Sequence, residues 1–133
     1  MQNIPEFILF DDDPVNNTLC HLTIKNIIKE AKIKTFTVPE KGLQYISKEY
    51  SNKPRKDAIL FLDINMRGMN CWEFLELFEK YRGKIKGEIR IYILTASFSP
   101  ADKERAAKNK NISEYIEKPL TAEKVRSIFL ELI

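Results

Sequence analysis

The sequence holds one histidine and two cysteines, and each scarcity removes a class of function. A lone His21 leaves no partner for a histidine pair or a Ser-His-Asp triad. Cys20 and Cys71 match no metal-ligand spacing and allow one bridge at most, so free thiols in a reducing cytoplasm is the simpler reading. No window approaches roughly 18 apolar residues, the length a membrane-spanning helix needs. Met1 to Phe10 carries an acid and no base, the wrong charge for a signal peptide. Lys and Arg number 22 against 19 Asp and Glu, a net charge of +3. The bases are scattered rather than gathered, so direct nucleic-acid binding is not expected. There is no repeat, no low-complexity tract and no linker.

What remains is a chain of 133 residues, 44% of them hydrophobic, enough for one packed core and one domain over 1–133. Apolar runs alternate with helical patterns throughout. Phe7 to Phe10 reads as a first strand ending at acid. Asp13 stands at an N-cap position with Pro14 at the first helical residue. The helix it opens runs to about Ala31, with Cys20, Ile24, Ile27, Ile28 and Ala31 at core-facing spacing. Ile33 to Val38 alternates as an edge strand does, and Pro39 to about Tyr50 forms a second helix with Leu43 and Ile46 inward. Ala58 to Leu62 is continuously apolar, as befits a central parallel strand covered on both faces. Asn70 and Glu73 form a capping-box pair for a third helix. Ile89 to Leu94 is a fourth strand. Ser99 and Pro100 open a short helix whose apolar residues before Lys108 are only Ala101, Ala106 and Ala107. Glu114 to Ile116 gives a fifth strand, and Thr121 caps a last helix with Val125, Ile128, Phe129 and Leu132 inward. The alternation is (βα)5, an α/β doubly wound parallel sheet with helices on both faces.

In open sheets of this kind, ligands bind off the carboxyl ends of the strands. Strand one ends in Asp11-Asp12-Asp13, strand three in Asp63, strand four in Thr95 and strand five in Lys118. Taken singly, each has an ordinary structural role: a helix cap, a turn acid, a β-branched strand residue, a surface lysine. Taken together they put three or four carboxylates on one rim, where repulsion calls for a cation. A hard divalent ion fits, and Mg²⁺ binds one or two carboxylates while taking further ligands from water or phosphate. A cation, an ammonium and a hydroxyl around a nucleophilic carboxylate are what phosphoryl transfer to an aspartate requires.

Four segments, Ile8-Leu9-Phe10-Asp11-Asp12-Asp13-Pro14, Leu60-Phe61-Leu62-Asp63-Ile64-Asn65-Met66, Ile93-Leu94-Thr95-Ala96 and Tyr115-Ile116-Glu117-Lys118-Pro119, occur in the order and separation that resemble a response-regulator receiver domain of two-component signalling. The resemblance implies a flavodoxin-like strand order 2-1-3-4-5. It implies that Asp63 is the phosphoacceptor, taking a phosphoryl group from the phosphohistidine of a sensor histidine kinase or a histidine phosphotransfer protein. It further implies that Asp11 and Asp12 hold Mg²⁺ together with Asp63, with Asp12 the more direct ligand and Asn65 giving its backbone carbonyl. Thr95 and Lys118 would contact the phosphoryl oxygens, and Tyr115 would follow Thr95 inward. Lys118-Pro119 is expected to be cis. Such a protein is not an enzyme in the usual sense; it assists its own phosphorylation and dephosphorylation and then acts on a downstream protein target. After Asp63 the chain departs from the pattern, with Met66-Arg67 where the family usually has Met-Pro and Asn70-Cys71 where it has Asp-Gly. Asn65 and Ser97 occupy positions that the family uses to set dephosphorylation rate.

The weakly apolar fourth helix is expected to move on phosphorylation. Val15, Leu19 and Leu22 lie nearly opposite the core positions of the first helix, either as a docking patch for a kinase or phosphotransfer helix or as one edge of a wide buried stripe. Two alternatives for the whole chain remain: a degenerate receiver that binds partners without phosphorylation, and a haloacid-dehalogenase-type phosphatase. The second fits Asp11 and Asp13 but finds only Glu123 and Glu131 for its late acidic pair and leaves Asp63 without a role.

Overall fold

Successive side chains of a strand point to opposite faces of a sheet, so a strand that is apolar at every position must be covered on both. The computed structural model of the protein, which describes residues 4–97 and 99–132, is built on this rule. The elements alternate as β1 (Glu6–Phe10), α1 (Pro14–Ile27), β2 (Ile33–Phe36), α2 (Pro39–Tyr50), β3 (Ala58–Leu62), α3 (Cys71–Arg82), β4 (Ile89–Thr95), α4 (Pro100–Lys108), β5 (Ile112–Glu117) and α5 (Ala122–Leu132). The strands pair in parallel in the order β2-β1-β3-β4-β5, the flavodoxin-like order expected.

Alternation divides the core in two. Ile8, Phe10, Leu60, Leu62, Ile91 and Ile93 face α2, α3 and the single buried residue of α4, Ala106. Phe7, Leu9, Ile59, Phe61, Tyr92 and Leu94 face Cys20, Ile24 and Ile28 on one side chain layer and Val125 and Ile128 of α5 on the other. α2 sits very close to the sheet. A Cβ on Gly42 would come within 1.9 Å of the Phe10 ring, which also packs on Phe36 and Phe74. Cys20 and Cys71 are both free and buried.

The caps are where the sequence puts them. Asp13 accepts from the Val15 N–H, and Asn70 and Glu73 form the reciprocal capping box at α3. Ser99 caps α4, and Thr121 Oγ1 accepts from the Lys124 N–H at 3.1 Å. Several boundaries differ. α1 stops at Ile27, short of Ala31, because the Ile28 backbone turns extended; Ile28 and Ala31 are buried all the same, so their spacing imitated a further helical turn. β2 ends at Phe36 rather than Val38, and β5 is longer than the apolar core of it, Glu114 to Ile116, suggests.

β1 also begins earlier, at Glu6, which is buried although charged. Its carboxylate accepts hydrogen bonds from the Tyr50 hydroxyl at 2.6 Å and the Tyr45 hydroxyl at 2.7 Å, with Lys56 Nζ at 3.6 Å. Burial, reinforced by the hydrogen bond to Glu6, pushes both tyrosine hydroxyls well above the ordinary phenol range.

Candidate functional site

Register decides which strand-end residues meet. Phe10 pairs with Leu62, so the residues that follow them, Asp11 and Asp63, leave the sheet side by side. The Asp63 N–H donates to the Phe10 carbonyl at 3.1 Å, fixing that adjacency through the backbone. On the other flank Thr95 pairs with Glu117, and the Lys118 N–H donates to the Thr95 carbonyl at 2.9 Å. The Lys118-Pro119 peptide is cis, as expected.

Lys118 joins the two halves. Its ammonium donates to Asp11 Oδ2 at 2.6 Å and to Asp63 Oδ2 at 2.9 Å, bridging two carboxylates that are 3% and 9% exposed. Burial alone would lower the lysine pKa; the hydrogen bonds and charges of the two aspartates outweigh it and hold the value above its ordinary position. Charge-assisted hydrogen bonds of this length are about twice as strong as neutral ones.

The remaining sequence-nominated residues surround this bridge at different degrees of engagement. Thr95 is buried, and its Oγ1 accepts from the Ser97 N–H at 3.2 Å, which leaves the hydroxyl proton free to donate elsewhere. It makes no hydrogen bond to Asp63 among the described residues. Tyr115 is half-buried and its hydroxyl donates to the Ser97 carbonyl at 2.8 Å, tying the tip of β5 to the loop after β4. Asp12 is half-buried, and among the described residues its carboxylate has no hydrogen-bond or ion-pair partner. Asn65 is exposed. The loop that carries it, where the sequence departs from the receiver pattern, is anchored by buried Met66 and Met69 and turns at Gly68, whose φ of 80° lies in the left-handed region. Asp13, by contrast, is exposed and occupied as the α1 cap.

Two residues that sequence reasoning passed over belong to the site. The Asn16 amide donates to Asp11 Oδ2 at 2.7 Å, and the buried Asn17 amide donates to the Asp11 carbonyl at 3.1 Å. Both lie in the first turn of α1, where asparagine is otherwise an unremarkable residue, so nothing in the string of letters flags them.

The donor set is all oxygen. Asp11, Asp12 and Asp63 bring three negative charges to the rim against one ammonium, a balance that suits a hard divalent cation. Among the described residues no three His, Cys, Asp or Glu side chains are drawn together into a metal cage. Magnesium does not ask for one, since it takes one or two carboxylates and keeps waters. The carboxylates of the rim therefore suit Mg²⁺, with Asp11, Asp12 and Asp63 as the side chains that would hold it.

A model of the response regulator receiver domain family matches residues 7–129. The chain belongs to that family. A two-component response regulator from Cytophaga hutchinsonii superposes with a TM-score of 0.84 at 26% identity over 98% of each chain. One from Legionella pneumophila gives a TM-score of 0.77 at 24% identity, over 97% of this chain and 98% of that one. The chemotaxis protein CheY4 of Vibrio cholerae gives 0.72 at 18% identity, over 98% of this chain and 100% of that one, and like the preceding match bears on the fold alone. Comparison with curated proteins gave no match. The protein is thus a receiver domain of two-component signalling. The family match sets the dehalogenase-type alternative aside, and Asp13, one of its two opening acids, is exposed and caps α1. Among the described residues no helix is long and apolar enough to cross a membrane.

Proposed function

We propose that this receiver domain accepts a phosphoryl group on Asp63 from the phosphohistidine of a sensor kinase or a histidine phosphotransfer protein. The observation that carries the reading is the Asp11–Lys118–Asp63 bridge, a buried pair of carboxylates tied by one ammonium at the carboxyl edge of the sheet. Lys118 holds one oxygen of Asp63, which orients the other toward solvent-side attack. A bond forms between that oxygen and phosphorus; the phosphorus–nitrogen bond breaks, and the imidazole nitrogen leaves with the bonding pair and takes up a proton. Magnesium, when bound, supplies the charge neutralisation that the three phosphoryl oxygens demand. Lys118 then exchanges a carboxylate oxygen for a phosphoryl oxygen, and Thr95 donates the hydroxyl proton that it does not use toward Ser97.

The same reading gives the output. Drawing Thr95 toward the phosphoryl group frees the loop that Tyr115 holds through the Ser97 carbonyl. α4 follows easily, because Ala106 is its one buried residue and the Arg105 guanidinium over the Trp72 ring at 4.4 Å is a surface anchor that can be released. Hydrogen exchange across 95–118 with beryllofluoride and Mg²⁺ tests this; unchanged protection removes the switch.

Val15, Leu19 and Leu22 are 63%, 56% and 54% exposed, so the wide buried stripe is excluded and an apolar patch flanks the acidic pocket. We read it as the seat of a helix from the phosphohistidine-bearing partner, since the patch begins two residues after the α1 cap beside Asp11 and Asp12.

The test of the acceptor is chemical. Incubation with acetyl phosphate and Mg²⁺ is expected to add one phosphoryl group by intact mass, labile to base, prevented by EDTA and abolished in Asp63→Ala. No addition to the wild-type protein favours instead a receiver that binds partners without phosphorylation.

A further inference from the structure

Asp11 Oδ2 is asked to accept two hydrogen bonds, one from Lys118 and one from Asn16. Its Oδ1 accepts a third, from the Asp13 N–H at 2.9 Å. A carboxylate only accepts, so the Asn16 side chain must present its NH₂ end, and the orientation of that amide is not in question. Three donors on one buried carboxylate fix its rotamer, while Asp12 beside it has none among the described residues. The two neighbouring acids are therefore prepared differently: Asp11 rigid, Asp12 free to turn toward an incoming cation.

The arrangement has a consequence when Lys118 moves. If the ammonium transfers to a phosphoryl oxygen, as the proposed function requires, Asp11 loses its charged donor while staying buried, and a buried carboxylate left short of donors is costly. Asn16 is the side-chain donor that remains, on the same oxygen and from a different element. We infer that Asn16 is a positioning residue of the phosphorylation site, holding the Asp11 carboxylate in the rotamer seen here whether or not Lys118 is engaged with it. The inference rests on the metal-dependent reading above and names a residue of this chain that the reading does not need in order to stand. Asn17 contributes differently. Its amide bonds two backbone carbonyls, those of Asp11 and Phe36, and so ties the β1 tip to β2 without touching a carboxylate.

Outer-sphere partners of metal ligands typically alter affinity by 10- to 100-fold when removed. Mn²⁺, titrated against the phosphate-free protein and followed by electron paramagnetic resonance, measures affinity without any turnover. Asn16→Leu, which keeps the volume and deletes the donor, is expected to bind Mn²⁺ about 10-fold more weakly. Asn16→Gln, which keeps an NH₂ group on a longer arm, is expected to recover part of the loss. Thr18→Ala, two residues further along α1 and exposed, serves as the folded control and is expected to bind as the wild type does. In phosphorylation by acetyl phosphate, Asn16→Leu should raise the Mg²⁺ concentration needed for half-maximal rate while leaving the rate at saturating Mg²⁺ nearly unchanged. Wild-type affinity in Asn16→Leu, or an equal loss in Thr18→Ala, overturns the role of Asn16 alone. Absence of Mn²⁺ binding by the wild type overturns the metal-dependent reading itself and the role of Asn16 with it.

Discussion

Replacing Lys118 with methionine keeps most of the aliphatic stem and deletes the ammonium that stands 2.6 Å from Asp11 and 2.9 Å from Asp63. Two buried carboxylates then face each other across a gap with no charge between them. Breaking a fully buried pair by removing one partner costs about 3–5 kcal/mol. Here the cost is smaller, since the site opens to water at the rim and Asp11 keeps the Asn16 and Asp13 donors. We expect a loss of about 2 kcal/mol, near the value of one charged hydrogen bond. For a chain of 133 residues the unfolding entropy is about 0.28 kcal/mol/K, so the melting temperature should fall by about 7 °C in metal-free buffer. Adding Mg²⁺ should raise the melting temperature of Lys118→Met by more than that of the wild type, because a cation then replaces the missing charge. Differential scanning calorimetry with and without EDTA measures both. A variant that melts with the wild type, or that gains no more from Mg²⁺ than the wild type does, refutes the claim that repulsion between Asp11 and Asp63 is what Lys118 relieves.

Other outcomes follow from single contacts. Tyr50→Phe removes the 2.6 Å hydrogen bond to buried Glu6, and urea unfolding should register a loss of about 1–3 kcal/mol with the acceptor chemistry at Asp63 intact. Gly42→Ala forces a methyl into the Phe10 ring, and a destabilisation of about 1–3 kcal/mol is expected by the same method. Leu19→Asp, on the exposed apolar patch, should leave the melting temperature and acetyl phosphate labelling unchanged while slowing transfer from the phosphohistidine partner; intact transfer removes docking from that face. In the alkaline range the folded state holds Tyr45, Tyr50, Cys20 and Cys71 protonated, with the thiols pushed up to about 11 and about 12 chiefly by burial, and keeps Lys118 charged. All five bind protons more tightly when folded, so stability is fully present below pH ~9 and declines as the unfolded thiols and phenols ionise above it. Urea midpoints that stay level between pH ~8 and ~10.5 would contradict this, as would rapid alkylation of either cysteine at pH ~8 in the absence of denaturant.

The parts of this molecule that the letters reveal are those where one physical demand acts alone. Apolar runs of five residues closed by a polar one, as at Leu62-Asp63, announce both the strand and the edge of the sheet where the site stands. Capping pairs such as Asn70 and Glu73 announce themselves for the same reason. Where two demands compete, the letters are ambiguous. Ile28 and Ala31 satisfy helical spacing and are buried, yet they belong to the turn after α1. Glu6 falls outside the strand read from Phe7 to Phe10, because its partners Tyr45 and Tyr50 stand some forty residues away on α2. Val15, Leu19 and Leu22 fit either a patch or a stripe until Cys20, Ile24 and Ile28 are seen to fill the opposite face. Asn16 is silent in sequence for a simpler reason: its meaning lies in a single 2.7 Å contact to Asp11 that no periodicity encodes.

The acceptor itself can be read residue by residue. Borohydride reduces an acyl phosphate to the alcohol and leaves a free carboxylate alone, so treating the acetyl phosphate-labelled protein and mapping its peptides marks the phosphorylated side chain as homoserine. Homoserine at position 63, lost when Mg²⁺ is chelated, is the expected result. Homoserine at 11 or 12 instead, or at no aspartate in a protein that has taken up phosphate, contradicts the account.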